Sequence, residues 1–267
     1  MTIITKNKSL SHLLKSIISI VFIIAFSISG HTQTKIRVAV AASLLLPMED
    51  IKQAFEKENP EIQIQLISGS SGNLTTQIKN GAPYHIFLSA NWAYPEELFK
   101  KGFTTHAPQI ISNGKMVVWT KSKISRNELS YFFLSEKNRT IAIANPKLAP
   151  YGLAAKKWLE SKGIWKNVER KIIFGQSISQ VNQYIYSGNV DIAFTAISAS
   201  SSDKLKAIGY WSTIEQENFL IPNGGVILKL KTEKNPQITA QFFNYLLENS
   251  SVKIFQQYGY VSNKNPK

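Results

Sequence analysis

Apolar and polar positions fall into a repeating order along the chain. Lys35–Ala42 (KIRVAVAA) is a short apolar run with polar bounds and predicts a buried strand. Leu44, Met48, Ile51 and Phe55 then recur at helical spacing as far as Asn59-Pro60, with Pro47 in the first turn, where its missing N–H costs little. Ile62, Ile64 and Leu66 alternate with Gln63 and Gln65, the period of a half-buried strand. A helix follows from Ser71 to Asn80-Gly81, then a strand at Ile86–Leu88 and a short helix at Pro95–Lys101.

The rhythm resumes after Asn113-Gly114. Strands are predicted at Met116–Thr120, Thr140–Ala144, Lys171–Phe174, Val190–Thr195 and Ala207–Trp211, and helices at Leu153–Glu160 and Ser177–Ser187. Pro222-Asn223-Gly224-Gly225 predicts a break before a strand at Val226–Leu230, and two helices close the chain at Gln237–Glu248 and Ser250–Tyr258. Strands alternating with helices predict βαβ units, an α/β protein with mostly parallel sheets. Asn113-Gly114 and Asn218–Gly225 are the boundary candidates. They divide the chain into 34–113 (first part of lobe 1), 114–221 (lobe 2) and 222–267 (a return to lobe 1).

Residues 1–33 read as a signal peptide. Lys6, Lys8 and Lys15 precede the apolar run Ile17–Ile28, and small residues follow at Ser29-Gly30. About a dozen apolar residues are too few to span a bilayer. This predicts export to the periplasm with cleavage of the leader. The chain has no cysteine, which excludes disulfides, thiolate metal sites, cysteine nucleophiles and a lipid-bearing cysteine. Removing the three leader lysines from a net charge of +14 leaves about +11. That balance favours an anionic partner. The lysines are scattered, without a basic block interleaved with aromatics, so nucleic acid is not expected.

Enzyme signatures are missing. Past the leader only His85 and His106 remain, neither with a second histidine at i+4. There is no G-x-S-x-G elbow and no phosphate-binding G-x-x-x-x-G-K. Glu49-Asp50 and Glu96-Glu97 read as solvated helix charge. What stands out is a set of helix starts. Ser43 and Ser71 each follow an early strand; Pro150-Tyr151-Gly152 and Ser177-Ile178-Ser179 do the same in the second half. A helix start leaves N–H groups without intrahelical partners and attracts anions. Each serine alone fits a helix cap. Four such starts at the carboxyl edges of two α/β sheets also fit a clamp for a small anion.

These residues resemble a known family. IRVAVAASLLLPMEDIKQAFEKENP, SGSSGNLTTQIKNGAPYHIFLSAN, NGKMVVW, ANPKLAPYGLAAKKWLE, GQSISQV and FFNYLLENSSVKIFQQYGY are similar, in this order, to the periplasmic molybdate-binding proteins of ABC transporters. The resemblance covers essentially the whole chain after the leader. It implies a two-lobed periplasmic-binding-protein fold with the ligand in the interlobe cleft. It implies a molybdate or tungstate oxyanion held by hydroxyls and N–H groups, with no cofactor and no metal cation. It implies a monomer that partners a membrane permease and is not an enzyme. By position the ligand-binding residues are Ser43, Ser71, Tyr151 and Ile178, the last through its backbone. The family tyrosine after DIAFT is Ala196 here, its nearby acid is Ala199, and the acids flanking the third strand are His85 and Asn91. Loss of the tyrosine points to Thr195 or water as a substitute, or to another oxyanion. A small organic acid, an exported enzyme with His85 as base, and a sensor that touches a receptor are the alternatives.

Overall fold

The computed structural model describes residues 33–124, 132–134, 139–214, 220–230 and 232–262. The leader expected at 1–33 therefore lies outside the described residues, apart from Gln33.

The strands are β1 (Thr34–Ala41), β2 (Ile62–Gly69), β3 (Ile86–Ser89), β4 (Gln109–Gly114), β5 (Met116–Thr120), β6 (Ile141–Ala144), β7 (Ile172–Gly175), β8 (Ile192–Ala196), β9 (Tyr210–Thr213) and β10 (Ile221–Ile227). The helices are α1 (Leu45–Glu58), α2 (Ser71–Lys79), α3 (Ala93–Lys100), α4 (Pro150–Ser161), α5 (Trp165–Val168), α6 (Ile178–Tyr186), α7 (Pro236–Tyr245) and α8 (Asn249–Gln257).

Two five-stranded sheets result, in the orders β2-β1-β3-β10-β4 and β7-β6-β8-β5-β9. Each is mixed: β10 runs against β3 and β4, and β5 runs against β8 and β9. The other four strands of each sheet share one direction, which is the α/β layout that the strand–helix rhythm predicts. Both sheets place the first strand of a βαβαβ unit between the second and third. The chain has no sequence repeat to announce this; it is visible only in the pairing.

Each central strand is apolar on both faces because helices cover both. Val38, Ala39, Val40 and Ala41 in β1 and Ile141–Ala144 in β6 are all buried. In the first sheet Ala41 pairs with Gly69, and in the second Ala144 pairs with Gly175. The neighbouring strands therefore end level, and the turns after them emerge side by side. The return segment docks on the first sheet's helix α1. Phe55 meets Phe242 edge-on at 4.8 Å and Tyr245 at 5.2 Å. Burying a ring such as Phe55 contributes about 1.5–3 kcal/mol.

Three expectations change. Pro222–Gly225 is not a break: it lies inside β10, with a register shift between Asn223 and Gly224. The bulge accommodates the turn-like residues within the ladder. Asn113-Gly114, given above as a boundary candidate, is the end of β4, a strand that the hydrophobic pattern missed because Gln109, Ser112 and Asn113 dilute it. The expected strand at Ala207–Trp211 is β9, shifted to Tyr210–Thr213.

Candidate functional site

Ser43, Ser71, Tyr151 and Ile178 line one cavity. The structure thus brings together all four residues singled out from the sequence, two from each sheet. Ala41, Ala42, Gly69, Ser70, Ala90, Ala149 and Pro150 complete its wall. Every lining residue is uncharged.

The sequence builds each wall with a different local device. After β1 the chain enters a 3₁₀ turn, Ala42–Leu44, before α1 begins. The turn folds Ser43 inward until 3% of it is exposed. Its hydroxyl is buried and has no hydrogen-bond partner.

After β2 two serines divide the work. Ser70 is the cap of α2: its Oγ accepts the N–H of Asn73 at 3.4 Å. Ser71 is the first residue inside the helix. Its Oγ accepts the N–H of Ala90, just past β3, at 3.1 Å. Accepting that bond leaves the Ser71 proton free to donate elsewhere.

In the second sheet Pro150 opens α4, and its fixed φ suits a first helical position. Tyr151 follows, 1% exposed; its hydroxyl makes no hydrogen bond of ordinary geometry, although the side chains of Ser43 and Tyr260 lie beside it. The phenol lies over Gly114: a Cβ there would stand 2.1 Å from the Tyr151 oxygen. Glycine at 114 is thus required by the tyrosine and not by a turn. Burial foremost, then the neighbouring Tyr260, pushes the Tyr151 pKa well above its ordinary value of 10. The group stays a protonated donor.

Ile178 starts α6 after Ser177, which has extended backbone and makes no side-chain cap. The N–H groups of Tyr151 and Ile178 sit in first helical turns, which have no carbonyls of their own helix to meet. With Ser43 and Ser71, these two residues line one space at helix starts, where the positive ends of the helix dipoles favour an anion.

The sheets also touch directly beside this cavity. Gly72 of α2 donates its N–H to the carbonyl of Leu148, in the turn before α4, at 2.9 Å. The turns that line the cavity are therefore in contact across the cleft.

Other expectations move. Ala196 is buried at the end of β8 but does not line the cavity. Thr195 cannot stand in for a missing phenol, because its hydroxyl donates to Asn182 Oδ1 at 2.7 Å. The cavity still has a phenol, supplied by Tyr151 of α4. His85 lies elsewhere. Its Nδ1 accepts the N–H of Arg37 at 2.9 Å, and its Nε2 is 3.6 Å from Glu233. His85, the base named for an enzyme reading, therefore does not line this cavity. Asn91 accepts the N–H of Ala93 at 2.8 Å and borders a separate, open cleft with Lys157 and Pro222. Among the described residues no group of three or more His, Asp or Glu is placed to hold a metal ion.

Sequence reasoning passed over two residues at the back of the site, Ser198 and Tyr260. Both reach the Ser43 carbonyl, from 155 and 217 positions away. No spacing rule links positions so distant.

Comparison with known proteins bears on the family and the fold. Residues 36–261 match the family model described as bacterial extracellular solute-binding protein. The molybdate-binding protein ModA of Azotobacter vinelandii is 33% identical over 85% of this chain and 89% of its own length. That of Rhodobacter capsulatus is 28% identical over 84% and 87%. The solved periplasmic molybdate-binding protein of Azotobacter vinelandii superposes with a TM-score of 0.78 at 28% identity, covering 86% of this chain and all of that one. The sulfate-binding protein SubI of Mycobacterium tuberculosis shares the fold, with a TM-score of 0.71 at 13% identity over 85% and 86%.

Proposed function

This chain belongs to the bacterial extracellular solute-binding protein family, and on that premise we propose that it captures molybdate, and tungstate with it, and delivers the anion to the permease of an ABC transporter. One observation carries the reading. Ser43 and Tyr151 place buried hydroxyls without partners in a small cavity walled only by uncharged residues. A buried polar group left unpaired costs about 1–3 kcal/mol. Two such hydroxyls side by side at one site suit an anion as acceptor.

The chemistry follows from the donor set. Ser43, Ser71 and Tyr151 supply hydroxyl protons, and the N–H groups of Tyr151 and Ile178 supply helix-start donors. A cavity lined by donors suits a fully deprotonated oxyanion, because a protonated anion would set its own donor against them. A lysine in the wall would attract many anions alike; fixed neutral donors sort by size and protonation. The lobes, 34–113 with 222–267 and 114–221, close over the anion by a hinge movement. Residues 1–33 direct the chain to the periplasm and are cleaved. There it acts as a monomer that binds without turnover and has no affinity for nucleic acid.

A second reading keeps the site and changes the guest. The phenol comes from Tyr151 and not from the end of β8, where Ala196 stands. That altered placement would suit a smaller oxyanion such as sulfate. Calorimetric titration of the mature protein with molybdate, tungstate, sulfate and phosphate decides. Tight binding of the first two with weak or no binding of the others is expected. Binding of sulfate or phosphate without molybdate would overturn the molybdate assignment.

A further inference from the structure

The carbonyl of Ser43 is where three distant parts of the chain meet. Ser198, in the 3₁₀ turn Ile197–Ser201 after β8, donates its Oγ–H to that carbonyl at 2.9 Å. Tyr260, past the end of α8, donates its hydroxyl to the same oxygen and lies 3.3 Å from Ser198 Oγ. All three residues are at most 3% exposed. Ser43 belongs to the first sheet's turn and Ser198 to the second's, so this bond joins the two lobes at a residue that lines the cavity.

Tyr260 is itself held in place. Asn113 and Val261 exchange both backbone hydrogen bonds, at 2.7 and 2.8 Å, which pins the chain after α8 to β4. Gly259 has φ +80, and a Cβ there would come within 2.5 Å of Ile197 Cγ1. The C-terminal turn is therefore packed against the segment that carries Ser198. The Tyr260 ring rests edge-on against Phe255 at 5.8 Å.

We propose that Tyr260 and Ser198 are positioning residues of the anion site, acting through Ser43. The peptide unit is rigid, so two donors on the Ser43 carbonyl hold its peptide plane and the residue's ψ. With the backbone held, the Cα–Cβ bond has one direction, which limits the Ser43 hydroxyl to the few positions its rotamers allow beside the cavity. The hydroxyl needs such help because it has no protein partner of its own. Neither donor lines the cavity, and the Tyr260 hydroxyl also neighbours the Tyr151 phenol. This inference rests on the reading of Ser43 as an anion donor.

Tyr260→Phe keeps the ring and its packing on Phe255 and removes only the hydroxyl; Ser198→Ala removes the second donor. Calorimetry of the full mature protein with molybdate should show affinity lowered about three- to tenfold for each, the worth of one hydrogen bond. In a Ser43→Ala background Tyr260→Phe should have little further effect, because the group it aims is gone. A lower apo Tm with unchanged affinity would reduce Tyr260 to a packing residue and overturn the proposal. So would the same loss of affinity in both backgrounds. Amide hydrogen exchange provides a readout that needs no ligand. Exchange at Leu44 and Leu45 in the apo protein should rise in Tyr260→Phe, and unchanged exchange would overturn the proposal. If sulfate proves to be the ligand in place of molybdate, the same cycle run with sulfate still tests the two positioning residues. Failure of the ligand assignment and failure of this inference are thus separate results.

Discussion

The amide of Gly72 donates to the carbonyl of Leu148 across the interlobe cleft, at 2.9 Å. One residue is in the first turn of α2, the other just ahead of α4. A Cβ on residue 72 would sit 2.9 Å from the Leu148 oxygen and 3.2 Å from its Cα. Only glycine lets the lobes approach this closely at the cavity.

Gly72→Ala should therefore hold the cleft ajar while leaving each lobe folded. Overpacking of this kind costs about 1–3 kcal/mol, so molybdate affinity should fall roughly ten- to hundredfold. Small-angle scattering should show a smaller compaction on ligand addition than in the parent. Affinity and compaction equal to the parent's would show that the contact does not limit closure.

Tyr151→Phe and Ser43→Ala each remove a hydroxyl that is buried without a partner. Their signature is opposed signs. The apo Tm should hold or rise, because an unsatisfied polar group is gone. Affinity should fall by about 1.5–3 kcal/mol, the worth of a charge-assisted hydrogen bond. Thermal melts with and without molybdate measure both. Loss of apo stability without loss of affinity would count against these hydroxyls as ligand donors.

Ser71→Ala should behave differently, although Ser71 lines the same cavity. Its Oγ accepts the Ala90 N–H, so the substitution strands a buried donor. Apo Tm and affinity should both drop, the Tm by about 2–4 °C for each kcal/mol lost. An apo Tm equal to the parent's would show that water restores the Ala90 bond.

His85 adds an acid limb to stability. Burial lowers its pKa, Glu233 partly offsets this, and Arg37 lowers it further. The folded protein thus favours the neutral ring, whose Nδ1 accepts the Arg37 N–H. A lowered pKa gives stability that is fully present above the ordinary value of 6.5 and is lost as pH falls through the folded value. Tm should decline below about pH 6.5, and His85→Gln should flatten that decline while leaving molybdate affinity unchanged. Reduced affinity in His85→Gln would return this histidine to the site.

The sequence by itself determined the alternation of strands and helices, and with it the α/β class. Apolar runs such as VAVA and IAIA can be buried only between two helical layers, and Ser, Gly and Pro after them mark helix starts. Those local rules were enough to pick Ser43, Ser71, Tyr151 and Ile178. Tertiary structure decided what each residue does there. Ser70 took the capping role, which freed Ser71, because only a neighbouring strand could bring the Ala90 N–H to Ser71 Oγ. Asn113-Gly114 reads as a boundary and Pro222–Gly225 as a break. Both lie in strands, since a phenol from α4 and a bulge in β10 fix their places from outside. The Tyr260 and Ser198 bonds to Ser43 span most of the chain, and periodicity carries no information at that range. They exist only once the C-terminal turn packs between the lobes, where burial leaves those hydroxyls no water to bond.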